Sequence, residues 1–334
     1  MKKLQKPRIA ALLASAALLA TVFSCQTIND VFGKPELSLE NVGIKSLDFE
    51  GITFNCNYAV TNPYPIGIAL KSVAADILYN SSEKFMSIST DNGVTIAANG
   101  RNSNSLNFKV PYTTILNFAK AVSGKTSLPF SVNGSAAIDL SAVTGLDIRD
   151  LTLPFSKNFD VPVFKPNFSV SNVKLKLPTL TALANSLVSS GVSSARATQL
   201  ATSILSGQQL ASNAFDGIDL NLDITMDLNV KNSGSAAWNM LIKNCSLMNS
   251  SGSKLASITP TRGNSISSDS ATVPMTASIN TLQAGALIVS ILNKRGSNPT
   301  VAIESGISFP GLNYAEVPLS YTKEISLSSI GIDK

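Results

Sequence analysis

One alternation pattern constrains this chain more than anything else in it, because it occurs twice. "GITFNCNYAVTN" (51–62) puts Ile52, Phe54, Cys56, Tyr58 and Val60 at every second position. "DLNLDITMDLNVKN" (219–232) does the same with Leu220, Leu222, Ile224, Met226, Leu228 and Val230. Residues two apart on an extended chain share a face, so each stretch predicts a half-buried antiparallel strand. Both end alike, Val60-Thr61-Asn62 and Val230-Lys231-Asn232, an offset of 170. The strings that lead into them also match: "PELSLENVGIK" (35–45) and "PNFSVSNVKLK" (166–176), at an offset of 131. The difference in offset means that the second copy carries extra residues near its start. Such a sequence must fold into the same sheet unit twice.

The correspondence continues past these strands. Ser81-Ser82-Glu83-Lys84 and Ser251-Gly252-Ser253-Lys254 fall in polar turns. "VPYTTILNFAKAVSGK" (110–125) and "VPMTASINTLQAGALIVSILNKRG" (273–296) each carry a helix-like segment after a strand. Each copy closes on a Pro-containing strand, "LPFSKNF" (153–159) and "VPLSYTKEISL" (317–327). A length of 334 residues suits two domains. We expect the first over 35–165 and the second over 166–334. The fold class expected is mostly β: two tandem antiparallel β-sandwiches of immunoglobulin or fibronectin type, each with one short helix.

The extra piece is expected over 178–215. Leu180, Leu183, Ala184, Leu187 and Val188 have the spacing of one helical stripe, and so do Ala197, Leu200, Ala201, Ile204 and Leu205. Gly191 separates the stripes, and Ser193 or Ser194 would cap the second. A helical hairpin with Arg196 as its single charge is the result. Packing on its own domain is the simplest role. Covering a pocket for an apolar ligand or lipid, or touching a partner or membrane, are the others.

The formal charge of +5 is concentrated at the start. Lys2, Lys3, Lys6 and Arg8 precede the uncharged run Ile9 to Ser24, as in a secretory signal over 1–24. Without those four charges the remainder is close to neutral, which argues against a nucleic-acid partner. The run ends "TVFSC", with small Ser24 before Cys25. It resembles the lipobox of bacterial lipoproteins, with Val22 where that pattern usually has Leu. The resemblance implies cleavage between Ser24 and Cys25, palmitate-type acyl chains on Cys25, and residues 25–34 as a lipidated tether. The partner expected is thus a membrane, held through an N-terminal lipid on the exported side, periplasmic or cell-surface. Gln26 stands where one inner-membrane retention signal has Asp.

The strand order resembles the late-embryogenesis-abundant type 2 family, also called the water-stress and hypersensitive-response domain. In the first copy "VTNPYPIGIAL" (60–70) is similar to that family's Asn-Pro strand end, and "FKVPYTTI" (108–115) to its apolar-Pro strand before the helix. The second copy is looser, with "KNSGSAAW" in place of "TNPYP". The resemblance implies a small antiparallel sandwich, an association with desiccation and stress protection, membrane attachment in some members, and no catalytic site. The turn is readable without it. Pro63 cannot donate a ladder hydrogen bond and keeps Asn62 out of the helical region, so the strand stops there. Asn62, and Asn232 in the second copy, can bond locally and shape the turn.

No enzyme is expected, and no cofactor. The chain has no histidine, which excludes Ser-His-Asp and Cys-His catalysis and His-containing metal sites. Cys56 aligns with Met226 and Cys245 with Ala75, so both cysteines are expected as core residues of different domains instead of a disulfide. Ser81/Lys84 and Ser251/Lys254 have the spacing of the nucleophile motif of penicillin-binding enzymes but sit in turns, without its partner motifs. "SGKT" (123–126) resembles half of a phosphate loop yet follows a helix, and Gly124 is read as a helix C-cap. Asp219, Asp223 and Asp227 share one strand face, where the expectation is a solvated face. Calcium held with help from a neighbour is the alternative. The EF-hand spacing fails, with Ile224 in place of Gly and Val230 in place of Glu.

Overall fold

The computed structural model describes residues 33–91, 93–121, 124–140 and 151–334. The first copy contains β1 (Glu36–Leu47), β2 (Gly51–Thr61), β3 (Ile68–Tyr79), β4 (Glu83–Thr90), β5 (Val94–Ile96), β6 (Arg101–Pro111), α1 (Tyr112–Ala121), β7 (Ser127–Asp139) and β8 (Leu151–Pro162). The second contains β9 (Pro166–Lys176), α2 (Leu180–Ser189), α3 (Ser194–Ser206), β10 (Asn221–Asn232), β11 (Asn239–Met248), β12 (Lys254–Pro260), β13 (Ser265–Ile266) and β14 (Ser270–Asn280). It continues with α4 (Thr281–Asn293), β15 (Thr300–Ser308), β16 (Val317–Glu324), a 3-10 turn (Leu327–Ser329) and β17 (Gly331–Asp333).

The two copies share one topology. The order β1-β2-β6 of the first is repeated as β9-β10-β14. The order β4-β3-β7-β8 is repeated as β12-β11-β15-β16, and the short β5 on β3 is repeated as β13 on β11. The chain is therefore two tandem antiparallel β-sandwiches. In the first, the two sheets are separate among the described residues. In the second, β12 joins them: Ser257 and Ala256 pair with β11, while Ile258, Thr259 and Pro260 pair with β14. Proline lacks the N–H that a central strand needs. Pro154 and Pro318 lie in β8 and β16, which end their sheet orders, whereas Pro129 and Pro274 stand in the flanked strands β7 and β14.

The alternating faces form the cores. Ile52, Phe54, Cys56, Tyr58 and Val60 of β2 are all buried, as are Leu222, Ile224, Met226, Leu228 and Val230 of β10. Phe54 stacks on Phe108 at 5.5 Å, and both meet Phe159 of the facing sheet at 5.2 and 5.7 Å. The second core has its own aromatic centre. Phe164, fully buried, packs against Tyr112, Trp238 and Phe309 at 6.3, 5.5 and 5.1 Å. Aromatic contacts at these separations add to the stabilisation from burial alone.

Compact packing divides the chain into two units. One comprises the described residues up to Gly43 with Thr53–Lys109 and Leu128–Val161, and the other Ile44–Ile52, Val110–Ser127 and Pro162–Lys334. Helix α1 thus counts with the second unit although its sequence belongs to the first copy.

The insertion is a hairpin of two helices. Thr179 caps α2 through the amide of Ala182, and Gly191 turns the chain at φ +87°. Ser193 is the N-cap of α3, and Gly207 ends it in the left-handed region. Leu183, Leu187, Ala197, Ala201 and Ile204 are buried, whereas Leu180 and Val188 are exposed at 45% and 42%. The stripe read from sequence is therefore wider than the face that packs. The hairpin is fastened to its own unit: Asn293 at the end of α4 exchanges two bonds with the backbone of Leu210, at 2.9 and 2.8 Å. One sequence match does not survive. Val110-Pro111 closes β6 immediately before α1, but Val273-Pro274 lies inside β14 with the strand continuing to Asn280. The helix is led in by Ile279-Asn280 instead.

Candidate functional site

The lipid-attachment and cleavage positions, Cys25 and Ser24, lie outside the described residues. Among the described residues, no helix is long and apolar enough to cross a membrane.

The turn asparagines occupy equivalent sites and are buried, Asn62 at 0% and Asn232 at 4% exposure. The Asn62 carboxamide oxygen accepts from the Tyr64 amide at 2.9 Å, and its nitrogen donates to the carbonyls of Ile66 and Ala97 at 2.8 and 2.9 Å. The Asn232 oxygen accepts from the Gly234 amide at 2.9 Å, and its nitrogen donates to the carbonyls of Gly234 and Ala236 at 3.0 and 3.4 Å. It also accepts from the Lys165 amide at 3.0 Å. Even the backbone agrees: Asn62 N–H donates to Gly100 and Asn232 N–H to Asp269, both at 2.8 Å. A carboxamide supplies donors and an acceptor from one short side chain, which lets a tight turn be buried with its backbone groups paired. Pro63 follows Asn62 and starts the departure from β2. Gly234 is required where it stands, since a Cβ there would lie 1.9 Å from the Val163 carbonyl oxygen.

Cys56 and Cys245 are free thiols, both buried. Burial disfavours the thiolate and pushes their pKa values up to about 11 and about 12. Such thiols are poor nucleophiles and poor ligands. Ser81 and Lys84 do not form a nucleophile pair. Ser81 sits in a turn at φ +61°, and Lys84 bridges Asp76 at 2.9 Å. Gly124 follows α1 at φ +82°.

Among the described residues, no three His, Cys, Asp or Glu side chains could hold a metal ion. Two carboxylates of the Asp219, Asp223 and Asp227 face are engaged by asparagine amides. Asn280 donates to Asp219 at 2.6 Å and Asn172 to Asp227 at 2.8 Å. This is a hydrogen-bonded outer sheet face.

A pair of grooves on the outer sheet faces escaped sequence reading. In the first copy a concavity of about 370 Å³ lies over β4, β3 and β7. Its rows are fixed by register: Ser87, Asp76 and Asn133 stand side by side, then Ser89, Ala74 and Ser135. In the second copy a concavity of about 510 Å³ lies over β12, β11 and β15. There Ser257, Ser246 and Ala302 form one row, and Asn244 and Glu304 pair in the next. These are the same positions of the repeated fold. The first groove is internally neutral, because Asp76 takes both Lys84 and the Ser87 hydroxyl, the latter at 2.7 Å. Those bonds hold its carboxyl below the usual range. In the second, Ser246 replaces Asp76, and Lys254, the counterpart of Lys84, has no carboxylate partner among the described residues. The alignment of Lys84 with Lys254 was the visible signal. What it lacked was the third strand.

The Late embryogenesis abundant protein family profile matches residues 57–163. No curated protein matches the chain significantly. A putative late embryogenesis abundant protein solved in solution is 16% identical, covering 46% of this chain and 85% of its own, at a TM-score of 0.33. An Arabidopsis thaliana protein is 21% identical, with coverages of 39% and 82% and a TM-score of 0.31. A protein from Archaeoglobus fulgidus is 12% identical, with coverages of 37% and 97% and a TM-score of 0.30. Likenesses at these scores decide nothing about function. The family match falls on the first copy and includes Asn62, Pro63 and the strands β3 to β8, so the chain carries a late embryogenesis abundant type 2 domain.

Proposed function

We propose that this protein is a non-catalytic, stress-associated lipoprotein of the cell envelope, anchored through acyl chains on Cys25 and acting through the surfaces of its two sandwiches. The late embryogenesis abundant type 2 domain supports the stress association, and that family is generally non-enzymatic. The observation that carries the anchor is the sequence from Lys2 to Cys25: a basic start, an uncharged run, and a cysteine with Ser24 before it where the run ends. Several acyl chains on one residue anchor stably, since each buried methylene contributes about 0.8 kcal/mol.

Among the described residues both thiols are buried, Lys84 is held by Asp76, and the Ser251 hydroxyl donates to Asn249. Changing Cys25→Ser is expected to move the protein from the membrane to the soluble fraction of cells, with folding intact by circular dichroism. If the variant still sediments with membranes, acyl anchoring through Cys25 is wrong. Crosslinking in intact cells, with protease added outside, would identify the partner and the exposed side.

A further inference from the structure

The two copies differ along one lateral edge. In the second, β12 leaves β11 after Ser257 and pairs antiparallel with β14, Ile258 opposite Ala277 and Thr259 opposite Thr276, which joins the two sheets on that side. In the first, the equivalent strands β4 and β6 end separate sheets and are not bonded to each other among the described residues. The correspondence is residue by residue. Ile88 stands where Ile258 does, since Ser87 pairs with Asp76 and Ser257 with Ser246. Phe108 stands where Ala277 does, counting from the matched bonds of Asn62 to Gly100 and of Asn232 to Asp269.

That exchange gives a reason for the gap. Alanine lets two strands close on each other. Phe108 instead stacks on Phe54 and meets Phe159 of the facing sheet at 5.7 Å, so a ring fills the space. Burial registers the difference: Ala256 and Ile258 are 8% and 3% exposed, while their counterparts Met86 and Ile88 remain half-exposed. The outward side chains of both lips are small and uncharged, Ser87 and Ser89 on β4 and Ser103, Ser105 and Asn107 on β6. The other strand edges are guarded in ways that discourage pairing. Pro154 and Lys157 lie in β8, Pro318 and Lys323 in β16, and Glu36, Glu40 and Lys45 in β1, while β17 lies along β9.

A free strand edge is completed by another strand. A second copy completes both lips at once. A two-fold axis along the strands sets β6 of each copy beside β4 of the other in antiparallel orientation, so every contact is made twice. Each lip then receives the strand that its counterpart pairs with in the second sandwich. No charged residues of like sign face each other between Ser87 and Ser89 and the strand opposite Ile88 and Ser89.

We propose that the first sandwich dimerises through this edge, β4 of one copy on β6 of the other, with Ile88 opposite Phe108 and Ser89 opposite Asn107, the register that β12 and β14 use within the second sandwich. Each sheet runs on into the other copy, and Met86 and Ile88 become covered. The dimer does not depend on acylation of Cys25.

The test uses the full chain in mild detergent, with sedimentation velocity over a concentration series. A monomer–dimer equilibrium is expected. Ser89→Lys combined with Asn107→Lys sets like charges opposite each other twice and should weaken the dimer about tenfold. Ser89→Lys combined with Asn107→Asp should restore it. Both positions are exposed, so the melting midpoint should hold in each variant. A chain carrying Ser89→Cys and Asn107→Cys, mildly oxidised, should run as a linked dimer on non-reducing gels, and either single variant as a monomer. The proposal is overturned if the chain stays monomeric at every concentration, or if the lysine pair leaves the dimer unchanged. It is also overturned if the two new cysteines join within one chain, which means that the edge closes on itself, or if a dimer forms without linking them, which means that another surface is used.

Discussion

Asn62 and Asn232 each hold together a buried turn that would otherwise be short of hydrogen-bond partners. Truncating Asn62 to alanine strands the Tyr64 amide and the Ile66 and Ala97 carbonyls in the interior. Unpaired buried groups cost about 1–3 kcal/mol each, and some relaxation is expected, so Asn62→Ala should lose about 2–4 kcal/mol in urea unfolding. Asn62→Asp should lose a comparable amount, because a carboxylate accepts where two carbonyls need a donor. The sequence showed that an asparagine ends each strand beside a turn. It did not show burial, because the carbonyls of Ile96 and Ala97 come from beyond two intervening strands. The cysteines were legible for the opposite reason. Their neighbours at every second position are apolar, and a thiol on such a face is core. Cys56 and Cys245 should therefore resist iodoacetamide in the native protein at pH 8 and react fully in denaturant, with intact mass showing no disulfide. Their raised values also set a sign. The neutral thiols favour the folded state fully below about pH 9, and that contribution is lost as pH climbs through about 11 and about 12. Stability measured against pH should decline on the alkaline side, less steeply in a Cys56→Ala, Cys245→Ala double variant.

At the scale of elements, periodicity worked wherever one element carries its own signal. The strands β2 and β10 and the helices α2 and α3 each repeat their apolar residues at a spacing that names the structure. Where a feature depends on several strands, the sequence was mute. The outer grooves need three strands in register, and in the second copy these are drawn from residues 244–304. The shared Val-Pro pairs show the converse: two letters can match while the register places them differently, Pro111 at a strand end and Pro274 inside one. The hairpin is held by a narrow face. Leu187 is fully buried on α2 and Ile204 nearly so on α3. Replacing either by alanine should cost about 2–4 kcal/mol, the usual range for a buried large-to-small change. Protease cleavage near Gly191 should accelerate with it. Leu180→Ala, on the exposed side, should leave both measurements nearly unchanged.

Across the whole molecule, duplication left the topology intact and let details diverge. The second sandwich gained the hairpin, β17 alongside β9, and a strand shared by both sheets. The first kept Asn-Pro at its turn, and the family profile falls there. The matching bond patterns of the two asparagine turns have a consequence for engineering. Tyr64, 1% exposed, stands where the second turn has Gly234, so a chimera that carries residues 230–236 in place of 60–66 should keep the asparagine bonds and lose stability through the volume Tyr64 fills. Tandem repeats of this kind can trade parts, and the cost of each exchange would show how far two once-identical halves have drifted from common currency.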